Sequence, residues 1–257
     1  NDFTAQGNLA IDTIHQIALT SGATFSVGSG DMTLTANQAG ANGDFVGIDL
    51  DNATLETTGT GSITLDGTGG NTGSDQGIFL RGTTIRSTSS AAGAGTITLN
   101  GQSNGTSGAG IRLADGSLFS SVGGDISLTG TSADHPGVFI LDQFGGGGAT
   151  IQSTGTEVDA ANITIDGTSD GAFSGVQVDP GDFTAVDGDI SITGSSQGGS
   201  GILLDEGSVQ TTGDGTITID GTTTSGEGIR TQQSYSISSD GGDIMLIGNG
   251  TTGISLA

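Results

Sequence analysis

The stretch Gly188–Gly213, GDISITGSSQGGSGILLDEGSVQTTG, carries the rule of the whole chain. It opens on a glycine, a polar residue, Ile190, the hydroxyl of Ser191 and Ile192, and the next stretch, DGTITIDGTTTSGEGI over Asp214–Ile229, repeats that order from Gly215. Alternation of apolar and polar residues is the period-2 mark of a β-strand with one buried face. Matching segments begin at Gly30, Gly61, Gly95, Gly124, Ala161, Gly188, Gly215 and Gly242, so eight copies recur at intervals of 27 to 37 residues. Intervals of that size mark a solenoid.

Within each copy a second short apolar pair follows a Gly/Ser-rich connection, as in Ile48/Leu50, Ile78/Leu80, Ile111/Leu113, Val138/Ile140, Val176/Val178, Ile202/Leu204 and Ile254/Leu256. A third follows in most copies, centred on Leu55, Ile85, Leu118, Ile151, Val209 and Ile237. Each coil therefore supplies three strands. No single coil can bury its apolar face, but stacking coils at about 4.8 Å places Ile on Ile along a continuous interior. The expected fold is all-β, a right-handed parallel β-helix of about eight three-strand coils, with handedness taken from its prevalence among such folds. Residues 1–27 read as an irregular or partial first coil and residues 28–257 as the repeat region, a segment of a longer protein or fibre. No polar cap is recognisable near Ala257, which raises end-to-end stacking of copies as an expectation.

Composition narrows the function. The 257 residues include 51 Gly, 28 acidic residues, four Arg, no Lys and no Cys, for a net charge of −24. Such a chain cannot neutralise a row of phosphates, so nucleic acid is not an expected partner. No apolar run reaches the length of a membrane span, and membrane insertion is not expected. Without Cys there is neither a disulfide framework nor a Cys-based zinc site. Asp residues at the two outer flanks of the first strand, such as Asp31, Asp66, Asp125 and Asp189, never occupy one column in successive coils, as stacking of like charges requires.

The rhythm GDISLTGTS (124–132), GVFI (137–140), ATIQSTG (149–155) and GTITIDGTTTSGEGI (215–229) resembles the degenerate repeats of filamentous-haemagglutinin-like adhesins, β-helical proteins exported by two-partner secretion in Gram-negative bacteria and cyanobacteria. The resemblance covers roughly residues 28–257. That family's amino-terminal secretion domain is not recognisable in residues 1–27, so the resemblance implies a piece of shaft. It further implies a secreted or outer-surface location and a role in attachment, biofilm matrix or cell contact. The partners it implies are a surface glycan, a protein receptor or other copies of the chain.

Candidate sites follow from the outward positions. On the second strand Phe79, Arg112 and Phe139 fall in successive coils, an aromatic and arginine strip able to stack on sugar rings or seat a partner, unless loops such as Asp142–Thr150 cover it. On the first strand Thr33, Thr64, Thr98, Ser127, Thr164, Ser191 and Thr218 form a hydroxyl column, either a plain solvated β-face or an array able to order water or ice. Asp179, Asp182, Asp187 and Asp189 are dense enough to suggest calcium, a cation that takes several oxygen ligands, or else a solvated turn. No cofactor is required by any motif. Asp166 and Asp220 share a column two coils apart, which follows from stacking and the abundance of Asp and reads as a surface ladder ahead of an acid/base pair for glycoside hydrolysis. His15 and His135 have no second His or Cys nearby for zinc. The sequence points to a non-catalytic shaft, with a carbohydrate-binding or carbohydrate-cleaving module as the alternative and ice binding as a distant one.

Overall fold

A computed structural model describes residues 2–20, 22–91, 93–156 and 160–257. These residues form strands and connections with no helix among them. The architecture is a parallel β-solenoid of about eight turns, as the repeat requires. One sheet has nine strands, running from Leu9–Thr13 through Met32–Ala36, Ile63–Thr68 and Ile97–Ser103 to Ile244–Asn249, each hydrogen-bonded to its counterpart one turn away. The other two strand positions of each turn form a second sheet of sixteen strands. Its two ladders join where Ile202–Thr211 and Glu227–Ser239 run unbroken from the second position into the third.

Register is strict along the first sheet. Ile97 pairs with Ile126, Ile126 with Ile163, Ile163 with Ile190 and Ile190 with Ile217. The unequal intervals between copies are absorbed in the connections, and the strands stay aligned. Inward residues of the three positions, such as Ile97 and Leu99, Ile111 and Leu113, then Phe119, are fully buried in one continuous core. A slender core filled mainly by Ile, Leu and Val explains how 32% hydrophobic residues suffice.

The core narrows where the first strand approaches the start of the second. Here the inward residues shrink from Ile97 and Leu99 to Gly101 and Ser103. A Cβ on Gly101 would overlap the carbonyl oxygen of Gly110, and Gly130 with Gly137, Gly194 with Gly201 and Gly221 with Gly228 repeat the contact. The following hydroxyl is also buried, and in several turns it donates to a carbonyl of the preceding turn, as Ser103 does to Asp75 at 2.7 Å and Ser132 to Gly108 at 2.7 Å, whereas Ser169 Oγ in the same column has no protein partner. Most buried hydroxyls have such a partner.

The polar residue after the motif glycine has its own task. Asp31 Oδ1 accepts from the Ser62 N–H at 2.9 Å, Asp125 Oδ1 from Asn162 at 2.8 Å, Asn162 Oδ1 from Asp189 at 2.8 Å and Asp189 Oδ1 from Thr216 at 2.7 Å. Each side chain thus satisfies a main-chain donor of the next turn at the corner before the strand begins.

Two readings of the sequence are amended. The amino-terminal residues expected to be irregular or partial contain strands in register: Leu9–Thr13 pairs with Met32–Ala36, Ile17–Leu19 with Ile48–Asp51 and Thr24–Val27 with Thr54–Thr57. At the third position Phe119, not Leu118, is the inward residue. Phe119 pairs with Ile85 and Ile151 and is fully buried, whereas Leu118 pairs with Thr84 and Thr150. In Leu-Phe-Ser-Ser both of the first two residues are apolar, so local pattern cannot select the face. Pairing with the neighbours does, because a shift of one residue reverses every side chain.

Candidate functional site

Outward positions of the second strand form one column: Asp49, Phe79, Arg112, Phe139, Gln177, Leu203 and Arg230 pair in that order. The sequence expectation that Phe79, Arg112 and Phe139 are neighbours therefore holds in space. The Arg112 guanidinium lies 5.0 Å from the Phe79 ring centroid and 5.8 Å from that of Phe139. A cation held over aromatic faces is stabilised by the ring quadrupoles.

Phe79 is not available to a ligand, since only 7% of it is exposed. Arginines contact its ring: Arg81 stands 4.4 Å from the centroid, in addition to Arg112. The Asp142–Thr150 loop is tied elsewhere, through main-chain N–H groups of Gln143 and Phe144 that donate to Asp115. Arg81 is in turn held by Asp49 at 3.0 Å, with Asp51 at 3.9 Å. Burial holds the Asp49 carboxyl above its ordinary range, against the lowering charge of Arg81.

The strip continues beyond the residues legible in the sequence. His135 packs 5.8 Å from Phe139 and stacks on Phe173 at 4.6 Å, and Phe173 is 42% exposed. Both residues come from connections that precede the second strand, where no periodicity marks a side chain as facing the strip. Burial lowers the Arg112 pKa, with Asp115 opposing and Arg81 adding to the shift. Burial also lowers that of His135, and Arg112 adds to it while Asp134 opposes. Arg112 Nε and His135 Nδ1 are buried without a protein hydrogen-bond partner. The arrangement offers aromatic faces and a cation to a ring-shaped or aromatic partner.

The other candidates separate. Thr33, Thr64, Thr98, Ser127, Thr164, Ser191 and Thr218 do occupy one outward column. Ala10 precedes it and Met245 follows it. Asp166 and Asp220 lie in the adjacent column with Thr193 between them. The proposed calcium residues are not gathered: Asp179 ends the second strand beside Leu141, Asp182 lies on the third strand and accepts from Ser208, and Asp189 serves the first-sheet corner at Thr216. Asp187 falls in the connection between those last two strands. Among the described residues no group of three or more His, Cys, Asp or Glu side chains converges as a metal site. Residues close in sequence are spread here around the perimeter of a turn, which is why local density misled. His15 stacks on Phe45 at 3.8 Å, far from His135 along the rod.

No helix among the described residues is long and apolar enough to cross a membrane. The chain matches no protein-family model, no curated protein and no solved structure.

Proposed function

We propose that this chain is a rigid section of an extracellular bacterial adhesin or fibre, a rod whose flank presents contact residues for attachment or matrix formation. The observation that carries the reading is the strict register of the first sheet from Leu9 to Asn249, with variation in length relegated to the connections. Parallel main-chain ladders resist extension and bending collectively, while the connections are free to differ from turn to turn. Secretion or display on the bacterial outer surface follows from this reading and from the resemblance of the repeats to filamentous-haemagglutinin-like shafts. A carbohydrate-binding module is the second reading, favoured by the Arg112, Phe139 and Phe173 strip. The test is attachment of chain-coated beads, under laminar flow, to surfaces bearing cell-surface glycans, extracellular protein or the chain itself. Retention on at least one surface is expected; beads that roll off all three would overturn the adhesive reading.

A further inference from the structure

The connection between the second and third strands is short in most turns: Asn52 and Ala53 suffice between Ile48–Asp51 and Thr54–Thr57, and Gly82 and Thr83 between Ile78–Arg81 and Thr84–Ser87. One turn departs from this. Between Val138–Leu141 and Ala149–Ser153 the chain inserts residues 142–148, the longest such connection among the described residues. Rather than projecting, the insertion bends back along the rod toward earlier turns. Asp115 Oδ1 accepts from the main chain of Gln143 at 3.0 Å and of Phe144 at 2.8 Å, Asp142 Oδ1 accepts from Gly145 at 2.6 Å, and the Gly116 N–H donates to the Gly147 carbonyl at 2.8 Å. Gly146 lies so close to Asp115 that a Cβ there would clash with its backbone.

These bonds fix the loop while leaving Phe144 75% exposed. An apolar ring anchored in water by its own backbone serves no core. It borders a depression of about 390 Å³ whose other walls include Asp51, Arg81 and Asp115, contributed by three successive turns. Asn52, Gly82 and Asp115 turn the corner there at φ of 53°, 52° and 55°, so the same left-handed backbone turn recurs in three successive turns. A volume of this size suits a small ligand.

We infer that this corner depression is a binding site for a neutral saccharide lying along the rod, with Phe144 as the stacking platform. The charges select the ligand class. Arg81 lines the wall, held between Asp49 and Asp51 so that its charge is compensated, and it offers guanidinium N–H donors to sugar hydroxyls. An anionic sugar would meet Asp51 and Asp115 on a chain of net charge −24. A hydroxyl-rich neutral ring faces donors on Arg81, acceptors on the carboxylates and an apolar face on Phe144 at once. The inference rests on the reading of the rod as a scaffold for contacts and names the ligand class of one of them.

The experiment is saturation-transfer NMR and calorimetry of the whole chain against neutral di- to tetrasaccharides of glucan, mannan and galactan type, with a galacturonate oligomer and a glucosamine oligomer as charged counter-probes. Binding of a neutral saccharide, weakened about tenfold in Phe144→Ala and retained in Phe144→Trp, is expected. Because the side chain is exposed, both variants should keep the parent's circular dichroism and melting temperature. No binding of any neutral saccharide, preference for a charged probe, or unchanged affinity in Phe144→Ala would overturn the site. Beads of Phe144→Ala that still attach under flow while saccharide binding is undetectable in the parent would overturn the pocket and leave the adhesive rod standing. Saccharide binding in solution with no bead retention on any surface would support the pocket and overturn the rod as an adhesin.

Discussion

Asp189 reaches one turn along the solenoid and accepts two hydrogen bonds from Thr216, its own counterpart in the repeat: one from the main-chain N–H at 2.7 Å and one from the hydroxyl at 2.9 Å. The polar letter of the repeat is therefore a tie between turns. Asp189→Ala should cost about 1 kcal/mol in urea denaturation, the usual net worth of such a bond at an exposed site, and Asp189→Asn should restore most of it. Equal stability of the alanine variant and the parent would show that solvent replaces the tie.

Gly101 and Gly110 define the narrow corner. Gly101→Ala places a methyl group into main-chain atoms that cannot move without shifting neighbouring turns, so a loss of about 3 kcal/mol is expected. Gly7 has open space around it, and Gly7→Ala should be neutral or stabilising by about 0.5 kcal/mol. Chemical denaturation of the pair separates a packing requirement from a general intolerance of alanine.

The inward side of the third strand can be tested on adjacent residues. Phe119→Ala removes a fully buried ring and should destabilise by about 3–5 kcal/mol, whereas Leu118→Ala should lose about 1 kcal/mol or less. The reverse ranking would place Leu118, not Phe119, on the inward face.

Mild acid should stabilise this protein through its raised carboxylates. Burial raises the pKa of Asp49, Asp75, Asp166 and Asp179 above the ordinary 3.8, and like charges from Asp51, Asp44, and Asp205 with Glu206 add to the shift at Asp49, Asp75 and Asp179 respectively. Between 3.8 and the raised values the folded chain binds more protons than the unfolded one, so their contribution is full below 3.8 and is lost as pH rises through the folded pKa values. His135 acts in the opposite sense: its pKa is lowered from 6.5, so its contribution is present above 6.5 and is lost as pH falls through the folded value. The melting temperature is expected to be higher at a pH of about 4.5 than at about 7.5, and the difference to widen in His135→Asn. A melting temperature that falls steadily with acidification would contradict the carboxylate assignment.

Turns should be removable as units. Deleting residues 188–214 joins two motif positions in register, so the chain should keep its β-rich circular dichroism and its rod should shorten by about 4.8 Å in small-angle scattering. Collapse of the spectrum would mean that this turn holds contacts its neighbours cannot replace.

The strip shows how far the repeat could be read. Phe79, Arg112 and Phe139 were identifiable as neighbours because each sits between two inward apolar residues of a strand, and strand register carries that position from turn to turn. Nothing local announced that Arg81 would help cover Phe79, or that His135 and Phe173 would extend the strip, since these contacts join a strand end and two connections. The acidic stretch from Asp179 to Asp189 failed for the same reason. Eleven residues of a coil travel around its perimeter, so proximity in sequence there means separation in space.

By itself, the sequence determined the rung: strands of period 2, glycine at the corners, stacked Ile and Leu inside and hydroxyl or charged columns outside. Those features depend on which side of a strand each residue faces, and alternation states that residue by residue. Tertiary structure alone decided that Phe119 points inward, that Phe79 is covered, and that the insertion at 142–148 folds back to hold Phe144 beside Asp51, Arg81 and Asp115. These outcomes depend on how connections close between turns, and a connection without periodicity acquires its geometry only from the neighbours on which it lands.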